Sequence, residues 1–436
     1  MTSGRSLARL GLFLALVVPP GAAAAQPVGV TRHLLANGMT VVVRENPAAP
    51  VVTASLQMRA GSRFETPETA GITNFLLRAM VRGTVRRSAA ALAEAAEEIG
   101  GSLDASGEVE SAEIRGEALA RHWEDLLALI AEVTLTPSLP SEEIERERRL
   151  ILSQIKTRAE TPFSLSLDAL VRELHGNHPY AWPGLGLASV VGRLGRAELL
   201  ARHRGVFQPE RMVLAVSGQV SHEPVVRTAA RLFAQLPRSG VGEVGAVAPA
   251  TPSGERRVLE RPAQQAQVLV GYLGPGLGDP SYPAVRVLGA VLGGGMAARL
   301  FVELREKRGL AYALGVLIPF RTGPSFFVPH LGTAPESSAA AEAGLLAELE
   351  RIRQAPVSGE EVARAKAYLL GNLALDRRTN ARQAWYLAFF EVVGAGWDFP
   401  ERYARALEAV TAADVEAAAR RYLVRPTIVV LQPPAR

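Results

Sequence analysis

The sequence predicts an α+β fold of two homologous half-chain domains. Each is expected to be an antiparallel sheet with helices packed on it, the two facing each other across a cleft. Three observations carry this prediction. "SEEIERERRLILSQI" (141–155) aligns without gaps to "GEEVARAKAYLLGNL" (359–373), an offset of half the 436-residue chain. Strand-like segments return in the same order: "VVTASLQMRAG" is matched by "AQVLVGYLGPG", and "RMVLAVSGQ" by "RPTIVVLQP". Between the copies, residues 237–256 are rich in Gly, Pro, Ser and Ala, lack helical periodicity and read as a linker. The expected boundaries are a leader over 1–25, an N-terminal domain over 26–236, the linker, and a C-terminal domain over 257–436.

The N-terminal elements follow in order. "HLLANGMTVVVRE" places Asn37-Gly38 between two apolar runs, a hairpin signal. "VVTASLQMRAGS" alternates as a third strand, and a helix is expected over about 69–82. "SAAALAEAAEEIGG" (88–101) reads as a helix stopped by a Gly pair. "SAEIRGEAL" reads as a strand, and "HWEDLLALIAEVTL" as a helix. The helix from 141 has Ser141 as expected N-cap and acidic residues in its first turn. Residues 211–220 form a strand, followed by a helix in "EPVVRTAARLFAQL".

Composition narrows the function classes. With 48% hydrophobic and 21% charged residues the chain is globular. Its net charge is +5, with Arg5 and Arg9 in the leader, and the basic residues are scattered. No basic stripe interleaved with aromatics appears, so nucleic acid is not an expected partner. Arg5 and Arg9 precede the apolar core "LGLFLALVV", then a Pro pair and "GAAAAQ", which fits cleavage before Gln26. Export is expected, to the periplasm for a Gram-negative source, with no membrane span in the mature chain. There is no Cys, which excludes disulfides, thiolate catalysis and Cys-ligated zinc.

The His residues are His33, His122, His175, His178, His203, His222 and His330. None forms the i, i+4 pair that puts two imidazoles on one helix face. His175 and His178, in "HGNHPYAWPG", read as loop structure. "LGGGMAARL" has the glycines of a phosphate loop but no Lys to reach a phosphate.

"AGSRFETPETAG" (60–71) followed by "TNFLLRAMVRGT" (73–84) resembles the start of the pitrilysin/insulinase family of zinc metallopeptidases. "PSLPSEEIERERRLILSQI", "HPYAWPGLG", "FQPERMVLAVSGQV" and "RLFVELREKRGLAYAL" resemble family segments in family order. The resemblance implies an inverted H-x-x-E-H zinc motif on the first helix and a distal Glu ligand on a later one. Carried over residue by residue, the first His position is Asn74, the Glu position Leu77 and the second His position Arg78. Gln154 stands at the distal ligand, while the supporting Glu is kept as Glu147. Neutral amides, an aliphatic side chain and a permanent cation cannot hold or activate a zinc-bound water, so no cofactor is expected in this chain. Arg78 and Glu147 are expected to form an ion pair in place of the metal.

The resemblance also implies an Arg and a Tyr with six residues between them in the C-terminal half, which approach the zinc-bound substrate. "RLFVELREKRGLAYAL" supplies Arg305 and Tyr312. Arg305 is expected in the last turn of a helix stopped at Gly309, with Tyr312 opening the next strand. An Arg and a phenol there suit an oxyanion; both residue types also fit plain helix-end and strand roles. The expectation is a non-catalytic subunit of a heterodimeric metallopeptidase. Its partners would be an H-x-x-E-H homologue that carries the zinc and a peptide or unfolded-protein substrate. The alternative is a zinc-less scaffold or peptide-binding protein outside proteolysis.

Overall fold

The structure is a computed structural model that describes residues 29–236, 238 and 248–434. The expected leader, and residues 237 and 239–247 of the expected linker, lie outside the described residues. The first half runs β1 (Val30–Leu34), β2 (Thr40–Glu45), β3 (Val51–Met58), α1 (Ile72–Met80), α2 (Ala89–Glu98), β4 (Ser102–Gly107) and β5 (Ala112–Leu119). It continues with α3 (Trp123–Leu135), α4 (Ser141–Glu160), α5 (Pro162–His175), α6 (Ala188–Val191), α7 (Arg196–Val206), β6 (Met212–Gly218) and α8 (His222–Leu232). The second half runs β7 (Arg256–Glu260), β8 (Ala266–Gly274), α9 (Tyr282–Gly293), β9 (Ala313–Leu317) and β10 (Ser325–Thr333). Then come α10 (Ser338–Gln354), α11 (Gly359–Asp376), α12 (Asn380–Val392), α13 (Phe399–Ala409), α14 (Ala412–Tyr422) and β11 (Thr427–Gln432).

The repeat seen in sequence is a repeat of topology. One sheet has the order β1-β2-β6-β3-β5-β4 and the other β7-β11-β8-β10-β9. Without β1, the two orders superpose strand for strand. Each sheet is antiparallel apart from one parallel pair, β2 with β6 and β7 with β11. In each half the last strand returns between the first two, after a helical excursion long enough for a parallel crossover. The gapless pair 141–155 and 359–373 falls on α4 and α11, and α1 and α9 occupy equivalent places.

Local chemistry sets the elements. Gly38 takes φ 93 in the β1–β2 turn, as Asn-Gly predicts. Ser88 caps α2 by accepting from Ala91 N–H. One expectation is corrected: the N-cap of α4 is Pro140, and Ser141 is its first helical residue. The extended Pro140 already turns the chain into the helix, so no side-chain cap is made, and Glu142 and Glu143 remain to face the helix dipole. Strand β4 has too little apolar alternation to be read from sequence; it forms because β5 supplies its ladder over Ser102–Gly107.

The halves are interlocked by two exchanged helices. α5, from the first half, lays Leu170 and Leu174 on Leu269, Val328 and Val429 of the second sheet. A side chain at Gly271 would meet Leu174 at 2.7 Å, so β8 needs a glycine where α5 crosses it. α12, from the second half, packs Ala384, Leu387, Ala388 and Val392 on Val30, Val42, Val213 and Ala215 of the first sheet. Each sheet is thus covered by its own helices on one face and by a borrowed helix on the other. Alternate residues of β2 show the split, with Val41 and Val43 in the larger core and Val42 under α12.

A buried polar node pins the junction. Glu110 accepts from Thr322 N–H at 3.1 Å, Thr322 Oγ1 at 3.0 Å, Arg63 Nη1 at 3.0 Å and the Tyr180 hydroxyl. The Tyr180 oxygen accepts from Gly323 N–H at 3.0 Å, and the Arg63 and Arg321 guanidiniums lie over its ring. Glu110→Gln keeps the shape but replaces an anion that serves four donors. It should cost about 2 kcal/mol, with the urea midpoint as the measurement.

Burial lowers the proton affinity of several histidines. His178 is held at about 4, first by burial and then by His175 and Arg63; His330 is held at about 4 by burial alone. Burial also depresses His175 and His203. Unfolded His titrates near 6.5, so between about 6.5 and 4 the unfolded chain binds more protons than the folded one. Stability is therefore expected to be full above pH 6.5 and to fall by a few kcal/mol as the pH drops towards 4. Denaturant midpoints at pH 7.5, 6 and 4.5 test this.

Candidate functional site

The "AGSRFETPETAG" frame builds the N-terminus of α1. The Glu65 carboxylate accepts from Gly71 N–H at 2.7 Å and Thr73 N–H at 2.9 Å, a carboxylate cap on the helix dipole. Gly71 has φ 98, and a Cβ there would lie 2.6 Å from the Gly186 Cα, in the segment that follows "HPYAWPG". At the other end Gly83 has φ 147, and Thr84 Oγ1 donates to Glu132 at 2.5 Å. These residues set the helix itself, so the frame persists without ligand residues between its ends.

Along α1, Leu77 is fully buried in the larger core and cannot face a substrate. Asn74 is also buried, and its Nδ2 has no hydrogen-bond partner. Arg78 reaches α4: its Nε donates to Glu147 at 2.9 Å and its Nη1 to Gln154 at 2.6 Å. The Glu147 side chain is 0% exposed and takes a second ion pair from Arg82 Nε at 2.7 Å. The expected Arg78–Glu147 pair is present, and Gln154 joins it. Sequence reasoning missed Arg82. Its signal was the spacing of four from Arg78, which carries Arg82 into the turn just past α1 and lets both guanidiniums reach Glu147 of α4.

The residues at this locus do not fit zinc. Arg78 spans the space between α1 and α4 and takes up both Glu147 and the Gln154 amide oxygen. A second guanidinium stands beside it, and the remaining polar group, Asn74, offers an unpaired N–H donor.

Arg305 lies in a π-helical turn, Phe301–Glu306, which ends in a left-handed Gly309 with φ 63. Tyr312 N–H donates to Gly332 O at 2.9 Å, and β9 starts at the next residue. The Arg305 guanidinium stacks on its own turn's Phe301 ring at 5.0 Å, and Tyr312 is 61% exposed. Neither side chain makes a hydrogen bond or ion pair among the described residues, and no such bond joins the two. His175 and His178 are structural: His178 Nδ1 accepts from Tyr180 N–H, and His175 lies between the carbonyls of Val171 and Pro324.

Two family models match the chain, "Insulinase (Peptidase family M16)" over residues 40–184 and "Peptidase M16 inactive domain" over 193–369. An uncharacterized zinc protease of Mycobacterium tuberculosis is 30% identical over 403 residues, 90% of this chain and 91% of the relative. An uncharacterized zinc protease of Rickettsia bellii is 28% identical over 388 residues, covering 89% and 93%. Among solved structures, a peptidase M16 inactive domain from Pseudomonas fluorescens has a TM-score of 0.85 at 25% identity, covering 93% of this chain and 98% of that one. A protease from Helicobacter pylori has a TM-score of 0.86 at 20% identity, covering 93% and 99%, a likeness of fold. The fold and the α1–α4 frame define a metallopeptidase-like protein. The chain belongs to the insulinase family, peptidase family M16.

Proposed function

We propose that this chain is the non-catalytic subunit of an exported, heterodimeric zinc metallopeptidase. The observation that carries the reading is a contrast between the two halves. The α1–α4 locus is filled by Arg78 and its partners, whereas Arg305 and Tyr312 are exposed and uncommitted. A partner with H-x-x-E-H would supply zinc and the water it activates. Arg305 would bind the substrate carbonyl and, with the Tyr312 hydroxyl, stabilise the oxyanion as it forms. Both donors would have to swing to a common point, which their exposure permits. The edge strands β4 and β9 each leave one side unpaired among the described residues, and this suits backbone pairing with extended peptides. Export is part of this reading and is supported by the leader expected over residues 1–25, which for a Gram-negative source would direct the pair to the periplasm.

The test is a paired assay of a quenched peptide, with this chain alone and co-expressed with its H-x-x-E-H homologue. The expected result is an inert single chain and an active pair that fails when Arg305 or Tyr312 is replaced. If the homologue's activity is indifferent to this chain, the protein is a scaffold or peptide binder.

A further inference from the structure

We infer that Phe301 is the positioning residue for Arg305. This rests on the reading proposed above, in which Arg305 binds the substrate carbonyl. The first observation is an aromatic ring outside the core. Leu300 and Leu304 of the same segment are fully buried in the core of the second half. Phe301, half-buried, belongs neither to that core nor to the partly buried shell packed on it. It stacks on no other ring among the described residues, and the Arg305 guanidinium lies over it at 5.0 Å.

The second observation concerns the guanidinium. Among the described residues, every other arginine that lies over an aromatic ring also makes a hydrogen bond or an ion pair. Arg305 makes neither, so the ring is what holds its charged end.

The base of the ring is fixed. Phe301–Glu306 is π-helical, with Lys307 N–H donating to Val302 O at 3.0 Å, and such turns are rare and recur at functional sites. Just before it, Arg299 Nε and Nη2 donate to the Glu361 carboxylate in the first turn of α11 at 2.6 and 2.9 Å. The buried Leu304 anchors the middle of the turn. A guanidinium over a ring uses its face and keeps the N–H groups in its plane free. Phe301 therefore restrains the long Arg305 side chain without spending a donor that the carbonyl needs. Part of the rotamer freedom that binding would otherwise remove is gone before the substrate arrives.

The test is steady-state cleavage of a quenched peptide by this chain assembled with its H-x-x-E-H homologue. Phe301→Leu is expected to lower kcat by about fivefold with KM little changed, and Phe301→Trp to keep it near wild type. In the Arg305→Ala background, Phe301→Leu should have no further effect, because the ring acts through the guanidinium. A second readout needs no partner. In nuclear magnetic resonance spectra of this chain alone, the Arg305 Nε–H signal, assigned by its loss in Arg305→Lys, should be shifted upfield by the ring. In Phe301→Leu it should return to the position of an unstacked arginine. An unchanged kcat in Phe301→Leu, an equal loss with and without Arg305, or an unshifted Arg305 signal in wild type would overturn the inference and leave the proposed function standing. An inert pair, or Arg305→Ala without effect on an active one, would overturn the proposed function and the positioning role with it.

Discussion

Arg305→Ala and Tyr312→Phe should leave the denaturant midpoint of this chain unchanged and still lower the turnover of the assembled pair by about 10²–10³-fold. Both halves of the statement follow from the geometry. Arg305 is exposed with its guanidinium over its own turn's Phe301 ring, and Tyr312 is mostly in solvent, so neither truncation opens a cavity or strands a buried group. An oxyanion donor acts where charge develops, and its loss falls on kcat more than on KM. A structural role for the pair predicts the reverse, a lower midpoint with unchanged turnover. Steady-state kinetics beside urea melts of each variant separate the two.

Glu147→Ala is expected to cost about 3–5 kcal/mol, the largest stability effect among the substitutions considered. The carboxylate is fully buried and, among the described residues, is the anion that ion-pairs with both Arg78 and Arg82. Its removal leaves Arg78 held only by the Gln154 amide, between two packed helices. Arg82→Gln should cost about 1 kcal/mol, because Arg78 remains on Glu147 and Arg82 is half in water. The combination Glu147→Leu with Arg78→Met should recover most of the loss, because apolar side chains of similar volume often replace a buried ion pair at little cost. Equal urea midpoints for wild type and Glu147→Ala would show that the ion pair does not tie α1 to α4.

Much of the architecture was legible in the sequence because it rests on short-range signals. The Asn37-Gly38 turn, the apolar alternation of β3, the Gly-pair stop after α2 and the gapless repeat of α4 in α11 are local features, and each was found. Strand β4 was missed because pairing with β5, not its own pattern, makes it a strand. The exchange of α5 and α12 was also out of reach. Leu170, Leu174, Leu387 and Val392 look like any apolar helix face, and nothing along the chain says which sheet will cover them.

The same division holds for the site. The sequence by itself determined which residue types stand at the positions where the family resemblance expects zinc ligands and base. Asn74, Leu77, Arg78 and Gln154 bring no imidazole and no carboxylate to them in any conformation. It also determined that Arg305 and Tyr312 lie around a chain reversal, since Gly309 punctuates the segment between them. Only the tertiary structure decided that Arg82 joins Arg78 on Glu147, that Asn74 keeps an unpaired donor beside them, and that Glu110 bonds Thr322 of the other half. The physical reason is range. Ligand identity and turn propensity are properties of a residue and its near neighbours. The pairing of a buried charge depends on which distant helix or loop folding brings within hydrogen-bond reach.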